Sequence, residues 1–284
     1  MGDRMMRRIG IASWAFTDMT LTEKVRMFAD MDYTAVSVLG GFLSEFDADD
    51  LASAERIMEK HDMIFTVHSA LRAPDGVVNK QACLDQLEGI LKWHRKTGRI
   101  ACVSYDVAWI NVAPGLQHTD PEAIPGLFEK LLEMSASSGF RMALEDYPLD
   151  NEKICLFAGW RERFPHWGIL IDLGHMNIRL NWTRLDTSRS WDKSVVEFLS
   201  AIPLKIVEFH VHNNNGAKDE HLPPYMGIGD LSPVARFIDD THFDGISTVE
   251  FGRAWCQGDL QTSITAAQES VKFWKSKMEE QIRL

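Results

Sequence analysis

Five short apolar runs each end on a side chain able to hold a metal ion or move a proton: His68 in TVHSA, Glu145 in ALEDYP, Asp172 in LIDLGHMN, His210 in EFHVHNNNG and Glu250 in TVEFG. Taken singly, each has an ordinary explanation. Asp172 can cap a following turn, Glu145 can complete a salt bridge, and His68 can be a hydrogen-bonded core residue. If the runs converge, however, Glu145, Asp172 and Glu250 set three carboxylates within a few ångströms, and unscreened like charges at that range cost several kcal/mol. A divalent cation resolves that conflict. Carboxylate oxygens with an imidazole nitrogen suit one Mn, Mg, Co or Zn ion, and the donor types do not select among them.

A second group accompanies the first. His175 lies three residues after Asp172, and the stretch HVHNNNGAKDEHLPPYMGIGD offers His212, Asp219 and His221. These are candidates for further metal ligands or for support of the first set. The alternative is that Asn213 to Asn215 and Gly216 form a tight turn, leaving Asp219 and His221 as solvated loop residues. The Gly227-x-Gly229-Asp230 segment reads as a turn into a helix rather than a phosphate cradle, because no Gly-Lys-Ser/Thr follows it.

The elements that must position these groups alternate along the whole chain. Strands are expected at 8–13, 33–39, 63–69, 99–105, 141–146, 168–173, 204–211 and 246–251. Amphipathic helices are expected at 21–31, 48–60, 80–96, 121–138, 151–163, 189–201, 232–240 and 259–280. Thr20 or Thr22 and Asp47 can cap the first two helices, and Asp120-Pro121 and Ser232-Pro233 read as helix starts. No linker, low-complexity tract or charge block divides the 284 residues, so 1–284 is read as one domain. Eight β/α units without a Gly-rich fingerprint after the first strand point to an α/β protein built as a single (β/α)8 TIM barrel. In such barrels the functional groups stand at the carboxyl ends of the strands, where the five residues above lie.

Composition narrows the partners. The formal net charge of −11 repels phosphate backbones and anionic lipid surfaces, which disfavours nucleic acid and membrane as partners. The apolar run near the start breaks at Thr17-Asp18, too early for a signal-peptide core or a membrane span, and the expected location is cytoplasmic. Cys83, Cys102, Cys155 and Cys256 are widely spaced without a C-x-x-C pair, as expected of reduced, packed thiols.

The ordered motifs TVHSA, ALEDYP, IDLGHMN, HVHNNNG…DEHLP…GIGD and TVEFG resemble the xylose-isomerase-like barrel superfamily over nearly the whole chain. That superfamily includes sugar isomerases and epimerases, hydroxypyruvate isomerase, inosose dehydratase and the endonuclease IV nucleases. The resemblance to the epimerase-like members implies Glu145, Asp172, His210 and Glu250 as the ligands of one divalent ion. It also implies an isomerase or epimerase of a small sugar, sugar derivative or keto acid, in which a proton leaves the carbon beside a carbonyl and an enediolate forms. Glu145 and Glu250 are then base and acid. His68, His175, His212, Trp14, Trp109 and Arg253 are the candidate substrate contacts, with core packing as the alternative for the tryptophans and surface charge as the alternative for Arg253 and Lys218. Barrels of this superfamily often pair through their outer helices, so a homo-oligomer is open.

The endonuclease branch resembles the chain in His68, His175 and Asp219-Glu220-His221, which implies additional ligands (His68, His175, Asp219, His221) and more than one Zn ion acting on abasic DNA. The chain departs from that branch near the end of strand four, where VSYDVAW carries Tyr105 and Asp106 in place of a histidine. A barrel that binds metal or sugar without catalysis is the third reading.

Overall fold

The computed structural model of the chain describes residues 7–42, 46–70, 80–106, 123–146, 159–182, 190–252, 255–256 and 258–280. Eight strands, β1 (Arg8–Ala12), β2 (Ala35–Leu39), β3 (Ile64–Ala70), β4 (Ile100–Asp106), β5 (Arg141–Glu145), β6 (Trp167–Asp172), β7 (Ile206–Val211) and β8 (Ile246–Val249), run in chain order around a closed barrel. All neighbours are parallel, and β8 closes on β1. Strands covered on both faces read as unbroken apolar runs, which is why every residue of β6 and β7 is buried.

The described helices are α1 (Leu21–Asp30), α2 (Ala48–Lys60), α3 (Lys80–Thr97), α4 (Ala123–Ser135), α5 (Leu173–Trp182), α6 (Trp191–Ser200), α7 (Ser232–Asp240) and α8 (Leu260–Glu280). Their inward stripes follow the helical period: Ala267, Val271, Trp274 and Met278 of α8 are buried. Thr20, not Thr22, caps α1 in a reciprocal capping box with Glu23. Asp47 caps α2, and Asp50 of α2 accepts hydrogen bonds from the Leu21 and Thr22 amides, so the second helix also holds the start of the first. At α7, Asp230 accepts from the Ser232 amide and hydroxyl, which makes the Gly227–Asp230 segment the expected turn into that helix.

Two expectations change. Helix α5 follows β6 without a break, where the sequence reading has no helix and extends the strand to 173. Of the helix expected at 151–163, only a 3-10 turn at Gly159–Glu162 falls within the described residues. Pro121, Cys155, Trp109 and Arg253 lie outside them. Cys83, Cys102 and Cys256 are buried free thiols.

The main core lies between barrel and helices, while a smaller one of Ala35, Cys102, Ala143, Leu170, Val207 and Ile246 fills the barrel interior. The strand register shifts between Phe65 and Thr66 against β4, and between Ile169 and Leu170 against β7. After these shifts His68 stands opposite Ser104, and Asp172 opposite His210. Among the described residues no helix is long and apolar enough to cross a membrane.

Candidate metal centre

The barrel brings its acidic strand ends together. Glu145 ends β5, Asp172 ends β6, His210 lies in β7 and Glu250 follows β8; all four are buried. His210 Nδ1 lies 2.7 Å from Glu250 Oε2 and 3.9 Å from Asp172 Oδ2. His68 Nε2 stands 3.6 Å from Glu145 Oε2, and its Nδ1 is 3.0 Å from Ser104 Oγ. The potential ligand atoms fall into overlapping triads, each within 4.8 Å: Asp172–His210–Glu250, Glu145–Asp172–His175 and His68–Glu145–His210.

Asp172 joins two roles that the sequence presented as alternatives. Its Oδ1 accepts the His175 amide at 2.7 Å, capping the first turn of α5, and its Oδ2 lies 2.8 Å from His212 Nε2. The cap turns His175 back over the mouth, where Nδ1 stands 3.0 Å from Glu145 Oε1. The close approach of His212 requires glycine at 174, since a Cβ there would overlap the imidazole.

Burial and neighbouring charge drive these groups to unequal states. Burial pushes the Glu145 carboxyl up to about 8, in spite of its bond to His175. Burial also opposes ionised Glu250, but the His210 imidazolium outweighs it and pulls that carboxyl down to about 2. His210 in turn loses to burial and gains more from Glu250, which carries it up to about 10. His68 has less compensation, and burial with the adjoining His210 lowers it to about 4. Asp172 sits well below the usual carboxylate range because His175 and His212 overcome its desolvation. Protons on imidazoles and on Glu145 thus balance the buried carboxylates.

Three carboxylates with imidazoles form a donor set suited to a divalent ion, and metal binding displaces protons of this kind. The buried His210 Nε2 has no hydrogen-bond partner among the described residues, an orphan that a metal bond satisfies. On both observations the residues fit such an ion.

The second group also converges. Asp219 Oδ2 lies 3.1 Å from His175 Nε2 and 2.9 Å from His221 Nε2, while His221 Nδ1 is 3.7 Å from Glu250 Oε1. These two histidines hold Asp219 below its ordinary range against the effect of burial. His221 and His212 stack with centroids 4.1 Å apart and planes 11° from parallel. His221 has a left-handed backbone (φ +45°), fixed on one side by the Asn213–Leu222 bridge and on the other by the Gly252 amide bonding its carbonyl. Asp219 and His221 are therefore tied into the cluster, with Asp219 still exposed at its edge. The turn reading holds for Asn215, whose Oδ1 accepts from the Ala217 and Lys218 amides. Lys218 is exposed. Trp14 is half-buried, its ring 5.9 Å from that of His68.

Several participants escape the sequence reading. Asn213 and Asn214 are buried and stitch the loop to its surroundings: Asn214 accepts from Asn177 Nδ2 at 2.8 Å and donates to the Gly174 carbonyl at 2.8 Å, and Asn213 donates to the Gly229 carbonyl at 2.9 Å. Glu208 is buried inside the barrel two residues before His210, accepting from Thr248 Oγ1 at 2.6 Å. Asp146 accepts from the Asp172 amide at 3.0 Å. Its position directly after Glu145 is the one signal that could have singled it out.

Residues 25–277 match the family model described as xylose isomerase-like TIM barrel. The chain belongs to that family. This xylose isomerase-like barrel is similar in fold to a D-psicose 3-epimerase from Clostridium cellulolyticum H10 solved with D-tagatose: TM-score 0.67, 10% identity, covering 95% of this chain and 99% of that one. It is also similar to a xylose isomerase domain protein from Alicyclobacillus acidocaldarius subsp. acidocaldarius, at TM-score 0.67 and 14% identity over 96% of this chain and 99% of that one. A probable 3-DHS dehydratase involved in petrobactin synthesis from Bacillus anthracis gives TM-score 0.66 and 11% identity over 93% and 97%. No curated protein matches the sequence.

Proposed function

We propose that this xylose isomerase-like barrel is a divalent-metal-dependent isomerase or epimerase of a small sugar, sugar derivative or keto acid, with Glu145, Asp172, His210 and Glu250 holding the ion. The observation that carries the reading is geometric: Glu145, Asp172, His210 and Glu250 are all buried at one mouth, with their donor atoms in overlapping triads within 4.8 Å. The ion supplies fixed positive charge for the substrate oxygen on which negative charge develops when the neighbouring C–H proton leaves. One glutamate removes that proton and the other returns one, and a reversible reaction uses each in both roles. His175 holds Glu145 in place, while His68 and Trp14 offer a polar and an apolar surface to a hydroxylated substrate. The likeness in fold to a 3-epimerase and to a dehydratase is consistent with proton abstraction as the shared first step.

The test begins with elemental mass spectrometry of protein purified without chelators, then solvent-deuterium exchange over a panel of ketoses and keto acids. One ion per chain, lost in Glu145→Gln and kept in His221→Ala, together with exchange at the carbon beside a carbonyl, is the expected result. Exchange into no compound by metal-loaded protein counts against the enzyme reading. A second reading, a multi-zinc phosphodiesterase, draws on the His175–Asp219–His221 triad. It predicts two or three zinc ions, one of them lost in His221→Ala, and nicking of an abasic-site oligonucleotide.

A further inference from the structure

Asp146 follows Glu145 and is completely buried, yet it takes no part in the chemistry described above. Its polar groups reach Leu170, Asp172 and Arg179. Its amide donates to the Leu170 carbonyl of β6 at 3.0 Å, and its Oδ1 accepts from the Asp172 amide at 3.0 Å. Its carbonyl accepts from Arg179 Nη2 at 3.1 Å, and its Oδ2, which has no hydrogen-bond partner among the described residues, faces Arg179 Nη1 at 3.3 Å as a contact of opposite charges. Arg179 lies four residues after His175, about one turn along α5, and its guanidinium rests over the Phe198 ring of α6 at 5.3 Å. One residue thereby holds the backbone of Asp172 and the helix that carries His175, and is itself joined through the chain to Glu145. Those three residues are one of the ligand triads.

We propose that Asp146 and Arg179 form a latch that sets the mutual placement of Glu145, Asp172 and His175, making both positioning residues of the metal centre. The inference rests on the metal-dependent reading above. It also accounts for the residue types. Asparagine at 146 could still accept from the Asp172 amide but would take away the carboxylate charge that faces the guanidinium. Lysine at 179 keeps the charge but lacks the planar fork that reaches both the carboxylate and the carbonyl of one residue.

The test is a competition titration of Mn²⁺ against a chelating dye, using the full chain, with thermal unfolding of the same samples in EDTA. Asp146→Asn and Arg179→Lys are each expected to bind Mn²⁺ about 10- to 100-fold more weakly than the parent, the range found when groups that orient metal ligands are altered. The double variant should be no weaker than the worse single one, because a latch opened at either end is open. Unfolding that drops while Mn²⁺ affinity stays within about twofold would make the pair a stability element only and overturn the latch. Losses that add in the double variant also overturn it. Should Asp146→Asn fail to fold, Arg179→Lys decides alone. A parent protein that takes up no Mn²⁺, Co²⁺ or Zn²⁺ sinks the metal-dependent reading itself, an outcome visible without any variant.

Discussion

The two ends of the barrel are both rich in ionisable groups, and they handle charge in opposite ways. At the amino ends of the strands, acids meet permanent cations: Arg141 grips Asp244 through two hydrogen bonds at 3.1 and 2.8 Å, Lys205 adds a third at 2.8 Å, and Arg8 pairs with Asp62. Hydrogen bonding to Arg141 holds the Asp244 carboxyl well below its ordinary range. A cavity of about 380 Å³ opens at this end, rimmed by Arg7, Arg8 and Arg141, whose guanidinium groups are all salt-bridged to aspartates. At the carboxyl ends, Glu145, Asp172 and Glu250 face imidazoles, whose charge depends on pH, and Glu145 keeps its own proton. Fixed counter-charges make the lower end a brace. Titratable ones leave the upper end able to exchange protons for a cation.

The pH dependence of stability should separate the two ends most strongly. Without metal, Glu145 is raised from 4.5 to about 8 and His210 from 6.5 to about 10. In both, the folded state binds the proton more tightly than the unfolded chain does. Their stabilisation is therefore complete below the unfolded values and is lost as pH rises towards the folded ones. Between about pH 6 and pH 8 the losses run in the same direction, joined by that of His221, raised to about 9, so stability should fall by on the order of 1 kcal/mol or more per pH unit. Urea unfolding in EDTA should show this decline, and added Mn²⁺ should reverse it increasingly towards pH 8, since ligands must shed protons to bind. Equal stability at both pH values in EDTA would mean that the upper end is as self-compensated as the lower.

A smaller effect is expected from Gly174→Ala. The added methyl displaces His212 from Asp172, and Mn²⁺ affinity should fall about tenfold, or ~1.4 kcal/mol, in the competition titration. Unchanged affinity would show that Asp172 is aimed without His212. Smallest of all should be Asp244→Asn at the lower end. Its side chain is 29% exposed, and pairs so placed contribute about 1 kcal/mol or less. The urea midpoint should move slightly and Mn²⁺ affinity not at all; a change in metal binding would show that the two ends are coupled through the barrel.

Much of the architecture was legible from residue order. Parallel strands covered on both faces need continuous Val- and Ile-rich runs, so the eight strands stand out, and their last residues carry the acids and histidines. Helix α5 was not legible, because LGHMNIRLNW holds a glycine, a histidine and two asparagines, all weak helix formers. Contacts beyond its own sequence hold it: the Asp172 cap, the Asn177–Asn214 amide bond and the Arg179–Asp146 pair. For Asp219 and His221 the sequence left two alternatives open, candidate ligands or solvated loop residues, since a left-handed histidine clamped between Leu222 and Gly252 has no local signature.

By itself the sequence determined the number and order of the β/α units and the kind of donor at each strand end, because both follow from local periodicity and side-chain type. Tertiary structure alone decided which donors meet. Two register shifts place His68 against Ser104 and Asp172 against His210, and a fold-back of the loop after β7 seats His221 beside Glu250. Such choices depend on the closure of the whole barrel, and no short stretch of residues contains that information.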